Sequence, residues 1–163
     1  MIEGVLKIKK IFLAFLATFP LLSDASVITT DSFKVKLPLF FSEVSEKNND
    51  YRKSWSFSSQ YGTFKLAQEQ CEGCLTPTQA SVTELLGDSS YSDYGAAIIN
   101  VNGLDGFLAY VPTRKQVMLV SAEFVSKNMK VKAQLVTRKG IKPHEVQIAN
   151  VEFMRLLNAI EFK

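Results

Sequence analysis

The chain has 163 residues, of which 47% are hydrophobic and 21% charged, and its formal net charge is +3. That length and apolar content suit one packed domain and do not call for a disulfide framework, of which two cysteines could supply only one bridge. A slight positive charge with no recognisable reader motif argues against a nucleic-acid partner.

The chain opens with a basic segment carrying Lys7, Lys9 and Lys10, followed by an apolar run from Ile11 to Leu22 and the small residues Ser23-Asp24-Ala25. These three parts make the pattern of a secretory signal peptide cleaved after Ala25. The apolar run is short for a bilayer, which takes about 20 residues. A buried helix or an uncleaved anchor is the alternative. The expectation is therefore a signal peptide over 1–25 and a single domain over 26–163, periplasmic or secreted.

Phe33-Lys34-Val35-Lys36-Leu37 alternates apolar and polar as a strand does, and Pro38 ends it. The polar stretch from Ser42 to Ser54 reads as a loop with Asn48-Asn49-Asp50 at its tip. Trp55-Ser56-Phe57-Ser58 resumes the alternation. Gly62 marks a turn, and Thr63 to Ala67 forms the partner strand of a hairpin.

Next comes Cys71-Glu72-Gly73-Cys74. In an oxidising compartment such a pair is a disulfide, and one that closes a very small loop gains little entropy. The alternatives are a redox pair and half of a metal site. Thr76 then reads as an N-cap, Pro77 as the first helical residue and Gly87 as the C′ residue of a short helix facing inward through Val82, Leu85 and Leu86. The stretch Asp88–Gly95 reads as a loop.

The second half is rich in strands. Ala96 to Val101 is apolar, and Asn102-Gly103 fits a type I′ turn, with Asp105-Gly106 as a competing turn signal. Phe107–Val111 and Val117–Phe124 flank a turn at Pro112–Lys115 and are apolar on both faces, as central strands covered on two sides are. Met129 to Leu135 alternates with Lys130, Lys132 and Gln134. Pro143 starts a last helix whose apolar face reads as Val146, Ala149, Val151, Phe153, Met154, Leu157 and Ile160, and the tail Ile160–Lys163 leaves it as a short strand. The sum is an α+β domain: a mainly antiparallel sheet with an early short helix and a C-terminal helix packed on it.

This layout resembles the PsbP/DcrB-like α/β/α sandwich family. The strand FKVKLP, the hairpin INVNGLDGFLAYVPTRKQVMLVSAEF and the closing FMRLLNAIEFK carry the resemblance. It covers most of residues 26–163 in layout, though CEGC lies outside its pattern. The resemblance implies a binding or accessory scaffold and transfers no functional residue.

Chemistry is sparse. His144 is the only histidine, so a triad would have to use it, and zinc would need Cys71, Cys74, His144 and a carboxylate together. There is no G-x-S-x-G elbow, P-loop or G-x-G-x-x-G. The expectation is no catalytic residue, metal or cofactor. Val111-Pro112-Thr113 looks like the cis-proline segment of thioredoxins, but Cys74 precedes the helix cap, where a reactive thiol would sit at or inside it.

Aromatics in or beside polar segments, Tyr51, Trp55, Tyr91 and Tyr94, are candidate anchors for a protein partner, and core caps on the other reading. The basic C-terminal third, including Lys130, Lys132 and Arg138, is a solvated face or a patch for an acidic partner. The leading functional expectation is an exported, non-catalytic binding protein of the bacterial envelope whose partner is another envelope or secreted protein, as for an immunity or assembly factor. The alternatives are a periplasmic thiol–disulfide oxidoreductase using CEGC and a domain that binds anionic lipid at a membrane surface.

Overall fold

The computed structural model describes residues 26–78, 81–83, 95–112 and 118–163. The expected signal peptide, Leu85, Leu86, Gly87, all of the expected Asp88–Gly95 loop but its last residue, and most of the Pro112–Lys115 turn lie outside them; Gly95 begins a strand instead of ending a loop. Ten strands are described: β1 (Val27–Thr29), β2 (Phe33–Lys36), β3 (Ser42–Asn48), β4 (Arg52–Ser59), β5 (Gly62–Gln70), β6 (Gly95–Val101), β7 (Leu104–Pro112), β8 (Met118–Ser126), β9 (Met129–Thr137) and β10 (Ile160–Phe162). Helix α1 is described over 81–83, and helix α2 spans Pro143–Asn158.

Seven strands form one antiparallel sheet in the order β3-β4-β5-β9-β8-β7-β6, and β1, β2 and β10 form a second, three-stranded sheet. The architecture is mostly antiparallel β-sheet with a C-terminal helix. Strand periodicity decides which face is buried. Trp55 and Phe57, Phe64 and Leu66, Val131, Ala133 and Leu135, and Val120, Ala122 and Phe124 all lie on the inner face of the large sheet and are buried. Helix α2 lays Ala149, Phe153, Leu156 and Leu157 against them, and Val35 and Ile160 of the small sheet complete the core. Phe33 meets Trp55 edge to face at 5.9 Å, and Phe162 meets Phe124 at 5.1 Å, so the two sheets are joined by aromatic pairs.

The polar stretch from Ser42 is not a long loop. Its flanks are β3 and the start of β4, and only residues 49–51 turn, where Asn49 Oδ1 accepts the N–H groups of Tyr51 and Arg52 at 3.2 and 2.7 Å. β3 is an edge strand, where charged side chains and a bulge between Ser42 and Ser45 are common defences against further pairing. Polarity there was a sign of an edge rather than of a loop. Gly62 likewise opens β5 instead of forming the turn before it.

Asn102 and Gly103 have φ of 49° and 87°, as a two-residue type I′ turn requires. The competing Asp105-Gly106 signal lies inside β7. A Cβ on Gly106 would overlap the ring of Phe124 on β8, so this glycine makes room for a neighbour and does not turn the chain. The helix cap is Thr78, two residues after the expected Thr76: Thr78 Oγ1 accepts the Ser81 N–H at 3.3 Å and Ser81 Oγ accepts the Thr78 N–H at 3.0 Å.

Helix α2 also differs in detail. Val151 is 51% exposed, whereas Leu156 and Glu152 are buried. Positions 149, 153, 156, 157 and 160 follow the i, i+4, i+7, i+8 stripe, and Val151 falls on the far side. Glu152 is accommodated because Ser59 Oγ donates to its Oε2 at 2.7 Å. On β8, only one face is fully buried; Leu119, Ser121 and Glu123 on the other are half-buried.

Candidate functional site

The two cysteines sit where β5 leaves the large sheet. The Gln70 N–H donates to the carbonyl of Tyr51 at 3.1 Å, and the Cys71 N–H donates to the carbonyl of Asn128 at 2.9 Å. The end of β5 is thereby tied on one side to the β3–β4 turn and on the other to the β8–β9 turn. Gly73, at φ 75°, then reverses the chain. Cys71 and Cys74 stand at disulfide distance, with Cα atoms 5.6 Å apart, inside the usual range for a bridge. The pair staples the reversal that carries the chain onto the outer face of the sheet.

Leu75 follows at 87% exposure, while Val82, a few residues on, is 1% exposed. Between this segment and the sheet runs an open groove of ≈ 350 Å³ lined by Leu75, Pro77, Phe107, Glu123, Val125 and Lys130, among others. Apolar walls with one carboxylate and one ammonium group can hold an apolar side chain and a polar neighbour. Lys132 and Lys130 approach Glu123 at 2.6 and 3.7 Å, all three side chains being about 30% exposed. Tyr51 is 73% exposed at the tip of the β3–β4 turn, at the same end of the sheet.

The expected partner-binding residues do not form one cluster. Tyr51, Lys130 and Lys132 lie with the cysteine pair. Arg138 lies beyond the far end of β9, eight residues from Lys130, or roughly 26 Å along a strand. There its guanidinium binds Glu145 Oε1 at 2.7 Å. Trp55 is on β4, as its alternation with Ser56 and Phe57 predicts, and at 5% exposure its ring belongs to the core. Its rim borders a second groove of ≈ 440 Å³ shared with Val27, Thr29, Val44, Glu46 and Lys53. Tyr91 and Tyr94 lie outside the described residues. Leu75 was missed by the sequence reading; its signal was a lone large aliphatic residue between a cysteine and a helix start, with no periodic partner.

Glu145 accepts the Lys142 backbone N–H at 2.9 Å at the start of α2. That bond, helped by the Arg138 guanidinium, holds its carboxyl below the usual carboxylate value, against a smaller opposing effect of desolvation. His144 beside it is exposed. Among the described residues, no three His, Cys, Asp or Glu side chains gather as a metal site would need. Pro112 pairs with Met118 at the opposite end of β7 from the cysteines, and Cys74 stands four residues before Thr78. The arrangement of a thioredoxin site, a thiol at a helix N-terminus beside a proline, is thus not formed by these residues. No helix among the described residues is long and apolar enough to cross a membrane.

No family model matches the chain, and no curated protein matches it. Among solved structures, one from Bacteroides thetaiotaomicron is similar at 12% identity with a TM-score of 0.44, over 80% of this chain and 45% of that one. This chain thus spans less than half the length of that neighbour, and a likeness of this degree carries no argument about function.

Proposed function

We propose that the protein is an exported, non-catalytic binding protein of the bacterial envelope, an α+β domain that holds another envelope or secreted protein at the stapled end of its large sheet. The observation that carries this reading is the company of Tyr51 and Leu75, 73% and 87% exposed, at an end held rigid by backbone bonds and by the Cys71–Cys74 pair. An exposed aromatic and an exposed aliphatic side chain on a braced frame lose little entropy on docking, and such residues act as anchors. The groove beside Leu75 offers room for a side chain of the partner. Export rests on the signal-peptide pattern of the first 25 residues, which also accounts for a bridged cysteine pair. The resemblance to the PsbP/DcrB-like family accords with an accessory role.

The test is native mass spectrometry of the protein isolated gently from its own envelope, beside a Tyr51→Ala/Leu75→Ala variant. A defined complex that the variant fails to retain is the expected result. Isolation as a lone chain, or a complex indifferent to both substitutions, overturns the reading.

A further inference from the structure

The outer face of the large sheet changes character away from the groove. Cross-strand register places Lys47, Ser54, Ala67 and Lys132 in one row across β3, β4, β5 and β9. The next row on one side holds Ser45, Ser56, Lys65 and Gln134, and the row on the other holds Arg52, Glu69 and Lys130. Residues directly opposite one another, or two apart on one strand, point to the same side. Lys47, Arg52 and Lys65 are exposed, and Ser54 and Ser56 are half-buried among them.

Among the described side chains, five cations therefore share this face with two carboxylates, Glu69 and Glu123, and Glu123 is already engaged by Lys130 and Lys132. From Ser45 onward, β3, β4 and β5 place no aromatic or large aliphatic side chain here. Lys47 and Lys132 stand three strand spacings apart, roughly 14 Å, with Lys65 between them. The result is a flat array of ammonium and hydroxyl groups.

We infer that the outer face of β3, β4, β5 and β9 binds an anionic polysaccharide. Charge complementarity selects a polyanion. The hydroxyls of Ser54 and Ser56 give hydrogen-bond partners to sugar hydroxyls and acidic groups between the cations. A bilayer rewards apolar groups that enter it, and a protein partner rewards aromatic anchors; among the described residues this face offers no aromatic side chain and, of large aliphatic ones, only half-buried Val136 at the far end of β9. Arg52, Lys130 and Lys132 border the Tyr51–Leu75 end, whereas Lys47 and Lys65 do not line the groove beside Leu75, so substitutions at Lys47 and Lys65 test this surface while leaving Tyr51 and Leu75 in place.

The experiment measures binding of the purified protein to dextran sulfate, with neutral dextran as the polymer control and vesicles of equal parts phosphatidylglycerol and phosphatidylcholine as the lipid control. The expected result is binding to dextran sulfate alone, weakening as salt rises. It should fall about tenfold or more in Lys47→Glu/Lys65→Glu and by less in Lys47→Gln/Lys65→Gln. The pair Lys36→Glu/Lys139→Glu makes the same change of net charge elsewhere and should leave binding intact. The inference is overturned by equal binding of the Lys47/Lys65 variants, by an equal loss in the Lys36/Lys139 control, or by tighter binding to the vesicles than to dextran sulfate. Thermal unfolding of each variant confirms that a loss is not one of folding, and the exposed Lys→Gln pair keeps the test open if the Lys→Glu pair unfolds.

Discussion

Cys71 donates its backbone N–H to the carbonyl of Asn128, 2.9 Å away, and so joins the first residue after β5 to the β8–β9 turn. The bond places the staple on the sheet and not on a free loop. Bridging Cys71 to Cys74 closes only a four-residue loop, so the chain-entropy contribution is small, about 2 kcal/mol. Cys71→Ser/Cys74→Ser should lower stability by about that much in denaturant unfolding, while amide exchange quickens around Leu75 to Thr78 and stays slow in β5, β8 and β9. A collapse of protection in the central strands would show that the pair carries the fold as a whole.

Asn128 and Lys127 both adopt positive φ, 62° and 47°. Asparagine tolerates this region, but a lysine there costs about 1 kcal/mol. Lys127→Gly removes that strain at a site where the backbone must stay left-handed, so it should raise the unfolding midpoint slightly, with the gain limited to about 1 kcal/mol by the freedom glycine adds to the unfolded chain. Lys127→Val should lower it.

Gly106 lies inside β7 under the ring of Phe124. Gly106→Ala should destabilise by about 1–3 kcal/mol through overpacking, because the ring is held in the core by Phe162. Combining it with Phe124→Leu should recover part of the loss, since the smaller side chain frees the space; a double-mutant cycle measures the recovery.

Glu145 gives a pH-dependent contribution. Its folded pKa lies below the ordinary value because it accepts the Lys142 N–H and faces Arg138. A depressed folded pKa adds stability above the ordinary glutamate pKa, about 4.3. That stability fades as pH falls through this value and is gone below the folded pKa. Glu145→Gln should therefore narrow its deficit against the parent as pH drops from neutral to strongly acid, in unfolding curves taken across that range.

Much of this fold is legible in the sequence. Alternation in Phe33–Lys36, Trp55–Ser58 and Met129–Leu135 marked strands, because a half-buried strand must alternate. Asn102-Gly103 marked its hairpin, because few residue pairs accept two positive φ values. Edges and crossovers were harder. β3 carries the polar signature of a loop because an edge needs charge as much as a loop does, and β1 is too short to show a period. Asp105-Gly106 mimicked a turn because glycine also serves where a neighbour's ring needs space. The candidate site was half visible: CEGC announced itself by composition, but the exposure of Leu75 follows from where the staple aims the chain, and the choice between anchor and core cap for Trp55 is decided by Phe33, distant in sequence, which packs against it.

Contact of the stapled end with a partner protein, as proposed, can be read directly. The most direct measurement is site-specific photocrosslinking in the native envelope, with a photoreactive amino acid placed at Tyr51, at Leu75 and, as a control, at exposed Val151 on helix α2. Positions 51 and 75 should capture the same protein, and position 151 should not. Capture from position 151 alone, or no capture from either 51 or 75, would contradict it.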